Sequence, residues 1–364
     1  MAAAAADETL RFDALAGWPA PEQRVEWFGE ARPQQVLLDA YRSGRMHHAW
    51  LIGGPKGIGK ATLAYRFARF VLAHPDPHDP AIATATDLSL PPAHPALRKV
   101  AARSHPNLLI LERPFDYKKD GYKTELTVDE IRRTVAFYGT TSGEAGWRIA
   151  VVDPADDMNP NAANALLKVL EEPPPRSLFL VVSHAPGRAL PTIRSRCRRL
   201  DLAPLSVEAI VAAIEANGGE LPDPDDLALI ARLAEGSLRR AILLVEGGGI
   251  ETYRAFSRIA AQLPRTDIPA MHAFADGISG RGNDDGWTGF VDMLRAWLNR
   301  RIHREEEPET SISLSPAVQA TPLERWAEVW ENLATSSELS DEYNLDRKRT
   351  VLSVLMTLAR ATRM

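Results

Sequence analysis

The stretch "WLIGGPKGIGKATLA", residues 50–64, decides the fold. An apolar run of strand length, 49–53, enters a glycine-rich loop. The residues that leave it, Leu63, Phe67, Phe70 and Val71, recur at helical spacing. Within the loop, Gly54 to Lys60 fit G-x-x-x-x-G-K. Gly54, Gly57 and Gly59 let successive backbone N–H groups approach phosphate oxygens, and Lys60 adds a point charge at the β- and γ-phosphates. The pattern then fails. Ala61 stands where a Ser or Thr hydroxyl ligates Mg²⁺. Thr62 points about 100° further round the helix and is a poor substitute. Phosphate binding by Gly54, Gly57, Gly59, Lys60, Ala61 and Thr62 is expected, and tight Mg²⁺ positioning is not.

The second half of such a site is an acid at the end of a neighbouring strand. "IAVVDPAD" supplies Asp153 for that place. Pro154 follows, where a hydrolysing site carries a glutamate to orient water, and proline can do neither the orienting nor the proton transfer. Asp156 and Asp157 read as helix-leading or solvated acids. Two groups needed for hydrolysis are thus missing at separate places.

Around this pair the chain alternates apolar runs with helical patterns, the mark of a mostly parallel sheet covered by helices. "NLLILE" (107–112), "WRIAVVD" (147–153) and "LFLVVS" (178–183) are further strands. "TVDEIRRTVAFY" places Val128, Ile131, Val135 and Tyr138 on one helical face. "NAANALLKVLEE" places Ala163, Leu166, Leu167 and Leu170 on another and stops at Pro173–Pro175. Residues 74–106, rich in Pro, Ala and His without a period, read as a long surface insertion. After residue 206 the strands cease. Three short helices follow to Gly249, and helical spacing runs to the end. Trp287, Phe290, Leu294 and Trp297, and then Trp326, Val329, Trp330 and Leu333, read as the core of a bundle. The expected fold is an α/β P-loop domain (1–204), a three-helix lid (205–250) and an all-α C-terminal domain (251–364).

A length of 364 residues exceeds what one core usually fills, which agrees with several domains. The net charge of −5 gives no global attraction to nucleic acid, so any such contact must be local or through a partner. One cysteine, Cys197, excludes an internal disulfide and a cysteine-rich zinc site. His74, His78, His94 and His105 are too irregularly spaced for a metal site. The first ten residues lack the basic region of a secretory signal, and no apolar run approaches a membrane span, so a cytoplasmic protein is expected.

"IRSRCRRLD" (193–201) packs four arginines into six residues. A solvated basic loop, a nucleic-acid patch without interleaved aromatics, and an arginine finger offered to a neighbouring subunit's nucleotide all remain open from the residues alone.

"HHAWLIGGPKGIGKATLA", "GWRIAVVDPADDMNPNAANALLKVLEEPP", "LFLVVSHAPGRALPTIRSRCRRL" and "EGSLRRAI" together resemble the AAA+ clamp-loader subunits of bacterial DNA polymerase III. The resemblance covers about residues 47–242. It implies that Ser195, Arg196 and Cys197 form the family's interface motif, with Arg196 as a finger acting on an adjacent subunit's ATP. It also implies that Arg239 is the lid arginine that reaches a γ-phosphate, and that the C-terminal helices form an oligomerisation collar. With Ala61 and Pro154, it points to a non-hydrolysing subunit of the polymerase holoenzyme that holds ATP or ADP without turnover. The implied partners are motor subunits of the gamma/tau kind and a delta-like subunit, with the sliding clamp and primed DNA met through the complex. Relatives with a four-cysteine zinc module carry it where this chain has no cysteine, so no zinc is expected. The alternative is an ATP-hydrolysing motor subunit, in which Thr62 and Asp156 would have to compensate.

Overall fold

Strand β1 (Ala49–Gly53) is buried along its whole length. Its alternate residues enter two different cores, because a parallel strand inside a covered sheet shows apolar side chains to both faces. The computed structural model describes residues 13–139, 146–219, 221–279, 284–309, 312–331, 333 and 346–363. The first ten residues, from which the lack of a secretory signal was read, lie outside them.

The chain divides into two compact units, 1–213 and 214–364. The first is an α/β domain built on a five-stranded sheet. Its elements are α1 (Ala31–Arg42), β1, α2 (Lys60–Ala73), α3 (Pro80–Thr84), α4 (Pro95–Ala101), β2 (Leu108–Leu111), the hairpin β3–β4 (Phe115–Asp116, Gly121–Tyr122) and α5 (Val128–Gly139). Then come β5 (Arg148–Val152), a 3₁₀ turn Ala155–Asp157, α6 (Pro160–Glu171), β6 (Ser177–Ser183), α7 (Pro191–Arg196) and β7 (Arg198–Asp201). The sheet runs β2-β5-β6-β1-β7, with every neighbouring pair parallel. Trp50, Ile52, Ile149, Val151, Leu178, Leu180 and Val182 join α1 and α2 on one face. Leu51, Ala150, Val152, Phe179 and Val181 join Ile131, Leu166 and Leu170 on the other. Each fully buried side chain of this size contributes about 1.5–3 kcal/mol.

Three sequence expectations need correction. The segment 74–106 is not a loose surface insertion, since Ile82, Leu88, Leu90, Leu97 and Val100 are core residues around α3 and α4. Its apolar residues sit on elements too short to show a period. In α5, Thr134 is buried and Val135 is 65% exposed, so the buried stripe is 131–134–138 rather than one through Val135. A fifth strand, β7, occupies the arginine stretch, held by Leu51–Arg199 and Ile52–Leu200 register with β1.

Helix α8 (Val207–Asn217) carries the boundary between the units. The second unit contains α9 (Pro224–Leu233), α10 (Leu238–Glu246), α11 (Gly249–Gln262), α12 (Ile268–Ile278), α13 (Asp284–His303), α14 (Pro316–Ala320), a helical segment over 323–331, and α15 (Arg347–Ala361). Leu229 and Leu233 of α9 share one core with the later helices. Trp297 is its centre, meeting Phe256 edge-on at 5.5 Å and Trp326 at 5.4 Å between ring centroids. Trp330 is 38% exposed and lies at the edge of the stripe formed by Trp326, Val329 and Leu333. No described helix is long and apolar enough to cross a membrane.

Candidate nucleotide and interface sites

Gly53 ends β1, and the loop that follows turns on left-handed glycines. Gly54 has φ +138° and Gly59 φ +92°. A Cβ on Gly54 would lie 2.7 Å from the carbonyl oxygen of Leu202, so no other residue fits this turn without moving β7's exit. Gly59 is the N-cap of α2, whose first N–H groups have no intrahelical partners and suit an anion. Lys60 is buried, and its Nζ donates to the carbonyl of Pro55. Burial pulls its ammonium down to about 8, against the opposing pull of Asp153 and Asp156.

Asp153 follows β5, its N–H donating to Leu111 at 3.0 Å. The packed surroundings and the nearby Glu112 carboxylate push its carboxyl up to about 7, while Lys60 resists. Glu112 is itself held by Arg103, which also binds Glu22 at 2.6 Å. The fold therefore gathers Gly54, Gly57, Gly59, Lys60, Ala61, Thr62 and Asp153 at the C-terminal edge of β1 and β5. The glycine cradle, the lysine and the helix terminus fit a phosphate group. Ala61 offers only a methyl, packed against the α1–α2 core, and Thr62 is buried.

Asp156 and Asp157 are not simply solvated acids. Asp156 accepts from Ser183 Oγ at 3.0 Å and Ala185 N at 3.1 Å on one oxygen, and from His184 N at 2.6 Å on the other. Asp157 accepts from Nε and Nη2 of Arg113, one on each carboxylate oxygen. His184, which sequence reasoning passed over, is pushed down to about 4 by burial and by Lys60. Its imidazole is neutral at pH 7. The one signal for it is its place directly after the apolar run 178–183.

Arg196 lies elsewhere. It is the last residue of α7, two positions before β7, whose Arg198 pairs with Trp50 and whose Asp201 pairs with Gly53. The strands are parallel, so Arg196 sits at the N-terminal edge of the sheet and the glycine loop at the C-terminal edge. Its Nη2 donates to Glu171 at 2.7 Å and its Nη1 to the Thr192 carbonyl at 3.0 Å. Ser195 is exposed and donates to the same carbonyl at 3.0 Å. Cys197, grouped with them as an interface residue, is instead buried beside Ile193, and burial pushes its thiol up to about 12. Only Ser195 and Arg196 of the three present side chains outward. Arg239 belongs to α10 in the C-terminal unit, where it lines a cavity of about 150 Å³ with Leu243, Phe290 and Arg300. Among the described residues no group of His, Cys, Asp and Glu is placed to hold a metal ion.

Residues 29–206 match the protein family described as DNA polymerase III, delta subunit. The chain is 37% identical over 226 residues to the DNA polymerase III subunit delta' of Pseudomonas aeruginosa, covering 61% of this chain and 63% of that one. It is 30% identical over 225 residues to the delta' subunit of Escherichia coli K12, covering 61% and 62%. With the gamma/tau subunit of Mycobacterium tuberculosis H37Rv it shares 29% over 259 residues, covering 68% of this chain and 40% of that one. The chain thus spans less than two thirds of the length of these relatives.

Proposed function

Since residues 29–206 match the DNA polymerase III delta-subunit family and delta' subunits are among the chain's relatives, we propose that it is the delta' subunit of a replicative clamp loader, inactive as an ATPase itself. The observation that carries this reading is the separation of two sites within one domain. The phosphate loop lacks the Mg²⁺-ligating hydroxyl at Ala61 and the water-orienting acid at Pro154. Arg196, with its motif intact, stands at the opposite edge of the sheet from that loop.

In this reading Arg196 serves a phosphate group on a neighbouring motor subunit. A guanidinium placed there stabilises charge that develops as the γ-phosphoryl leaves, and its planar fork can meet two oxygens together. The chain's own loop, through Gly54, Gly57, Gly59 and Lys60, holds ATP or ADP without turnover, and Arg239 supplies a lid contact to a phosphate. The C-terminal helices join the chain to gamma/tau-like and delta-like partners, and the clamp and primed DNA are met through that assembly in the cytoplasm. Division of the helices into a lid (205–250) and a collar (251–364) belongs to the same reading.

Reconstitution with Arg196→Ala tests it. DNA-stimulated ATP turnover by the assembled loader is expected to fall by at least roughly tenfold, because a finger supplied in trans stabilises charge in the transition state. Unchanged turnover and clamp loading would show the finger role to be wrong. The alternative, an active motor subunit, needs Asp156 to orient water. Both oxygens of Asp156 are already engaged by the 183–185 backbone and Ser183. ATP hydrolysis by the purified chain, abolished by Lys60→Ala, would nonetheless establish it.

A further inference from the structure

We propose that Glu171 is a positioning residue for Arg196, holding the guanidinium where a neighbouring subunit's phosphate would meet it; this rests on the reading of Arg196 as a finger. Glu171 is the last residue of α6, and Arg196 is the last of α7. Each stands beside a residue of the same core: Leu170 is 1% exposed, and Cys197 is buried with Ile193 against Ala163 and Leu166. The two side chains therefore spring from anchored backbone, and the 2.7 Å Glu171 contact joins two helix ends rather than two loops.

The other arginines of the stretch have different partners. Arg194 donates to the Gly187 carbonyl, Arg198 lies 4.9 Å over the Trp50 ring, and Arg199 pairs with Asp201. Arg196 alone among these four meets a carboxylate carried by another helix. Glu171 fixes Nη2 and Thr192 fixes Nη1, which sets the plane of the guanidinium. The Nε–H and the second Nη2 hydrogen are left for incoming acceptors. An arginine held in this way spends less side-chain entropy on reaching the transition state than a free one.

The pair is exposed to solvent, so the contact adds little to folding stability. Its effect is expected in rate. In the reconstituted loader, Glu171→Ala should lower kcat of DNA-stimulated ATP hydrolysis roughly tenfold while KM stays within about twofold, because orientation counts in the transition state and not in ground-state binding. Glu171→Gln should keep most of kcat, since an amide oxygen accepts the same hydrogen bond. In an Arg196→Ala background, Glu171→Ala should add no further loss.

Wild-type kcat in Glu171→Ala, alongside a slow Arg196→Ala loader, would overturn the positioning role and leave the finger standing. Additive losses in the double variant, or Glu171→Gln as slow as Glu171→Ala, would also overturn it. Wild-type turnover in Arg196→Ala would remove the finger reading itself, and the positioning role with it.

Discussion

Asp156 accepts the backbone N–H of His184 at 2.6 Å, tying the turn after β5 to the exit of β6. Its other oxygen takes Ser183 Oγ and Ala185 N, so one carboxylate orders three successive residues. Charge-assisted bonds of this kind contribute more than neutral ones, although exposure to water discounts them. Asp156→Ala is expected to cost about 1–2 kcal/mol, seen as a lower urea midpoint with an unchanged slope. Asp156→Asn should be no better, because its amide must turn an N–H₂ toward one of the donors. A wild-type midpoint for both variants would show that Asp156 does not hold the loop.

Lys60 gives nucleotide binding a pH dependence of definite sign. Burial pulls the ammonium down to about 8 in the free protein. Phosphate oxygens favour the charged form, so binding above pH 8 must take up a proton. Affinity for ATP or ADP is therefore expected to fall by up to roughly tenfold per pH unit above pH 8. Titration with a fluorescent nucleotide between pH 7 and 9.5 checks this. Lys60→Met should bind weakly and lose the slope; a slope that survives in that variant would assign it to another group.

Much of this architecture was legible because its determinants are local. The glycine loop is written in consecutive residues, and strands β1, β5 and β6 are continuous apolar runs that only a sheet covered on both faces explains. Strand β7 was hidden because Leu200 is its one buried residue, flanked by Arg198, Arg199 and Asp201; register with β1, not composition, makes it a strand. The Asp156–His184 and Glu171–Arg196 contacts join residues 28 and 25 positions apart, and nothing in the local sequence announces either. Cys197 was grouped with its exposed neighbours by motif, whereas the turn from α7 into β7 points it inward.

The helical unit offers a sharp contrast between two tryptophans that share a sequence pattern. Trp297 is fully buried between Phe256 and Trp326, while Trp330 is 38% exposed. Truncating a buried aromatic loses its transfer energy and leaves a cavity, so Trp297→Ala is expected to cost about 3–5 kcal/mol. Trp330→Ala should cost well under that, about 1 kcal/mol or less, unless a partner covers it. Thermal unfolding of the two variants separates them. A large loss for Trp330→Ala in the isolated chain would place it in the core after all.

The missing hydroxyl at residue 61 can be restored and its consequences divided. Ala61→Ser returns an oxygen to the first turn of α2, within the segment that starts at the buried Lys60. If the loop otherwise fits a Mg²⁺-bound phosphate, ATP affinity in the presence of Mg²⁺ should rise by about 1 kcal/mol, roughly fivefold, with little change when Mg²⁺ is chelated. Turnover should not appear, because Pro154 still offers no group to orient water and Asp156 remains bound to the 183–185 backbone. Nucleotide titrations with and without Mg²⁺, followed by a phosphate-release assay on the same variant, measure the two effects separately. Hydrolysis by Ala61→Ser alone would mean that a single oxygen had been the whole deficit, and that the proline after Asp153 is no obstacle to chemistry.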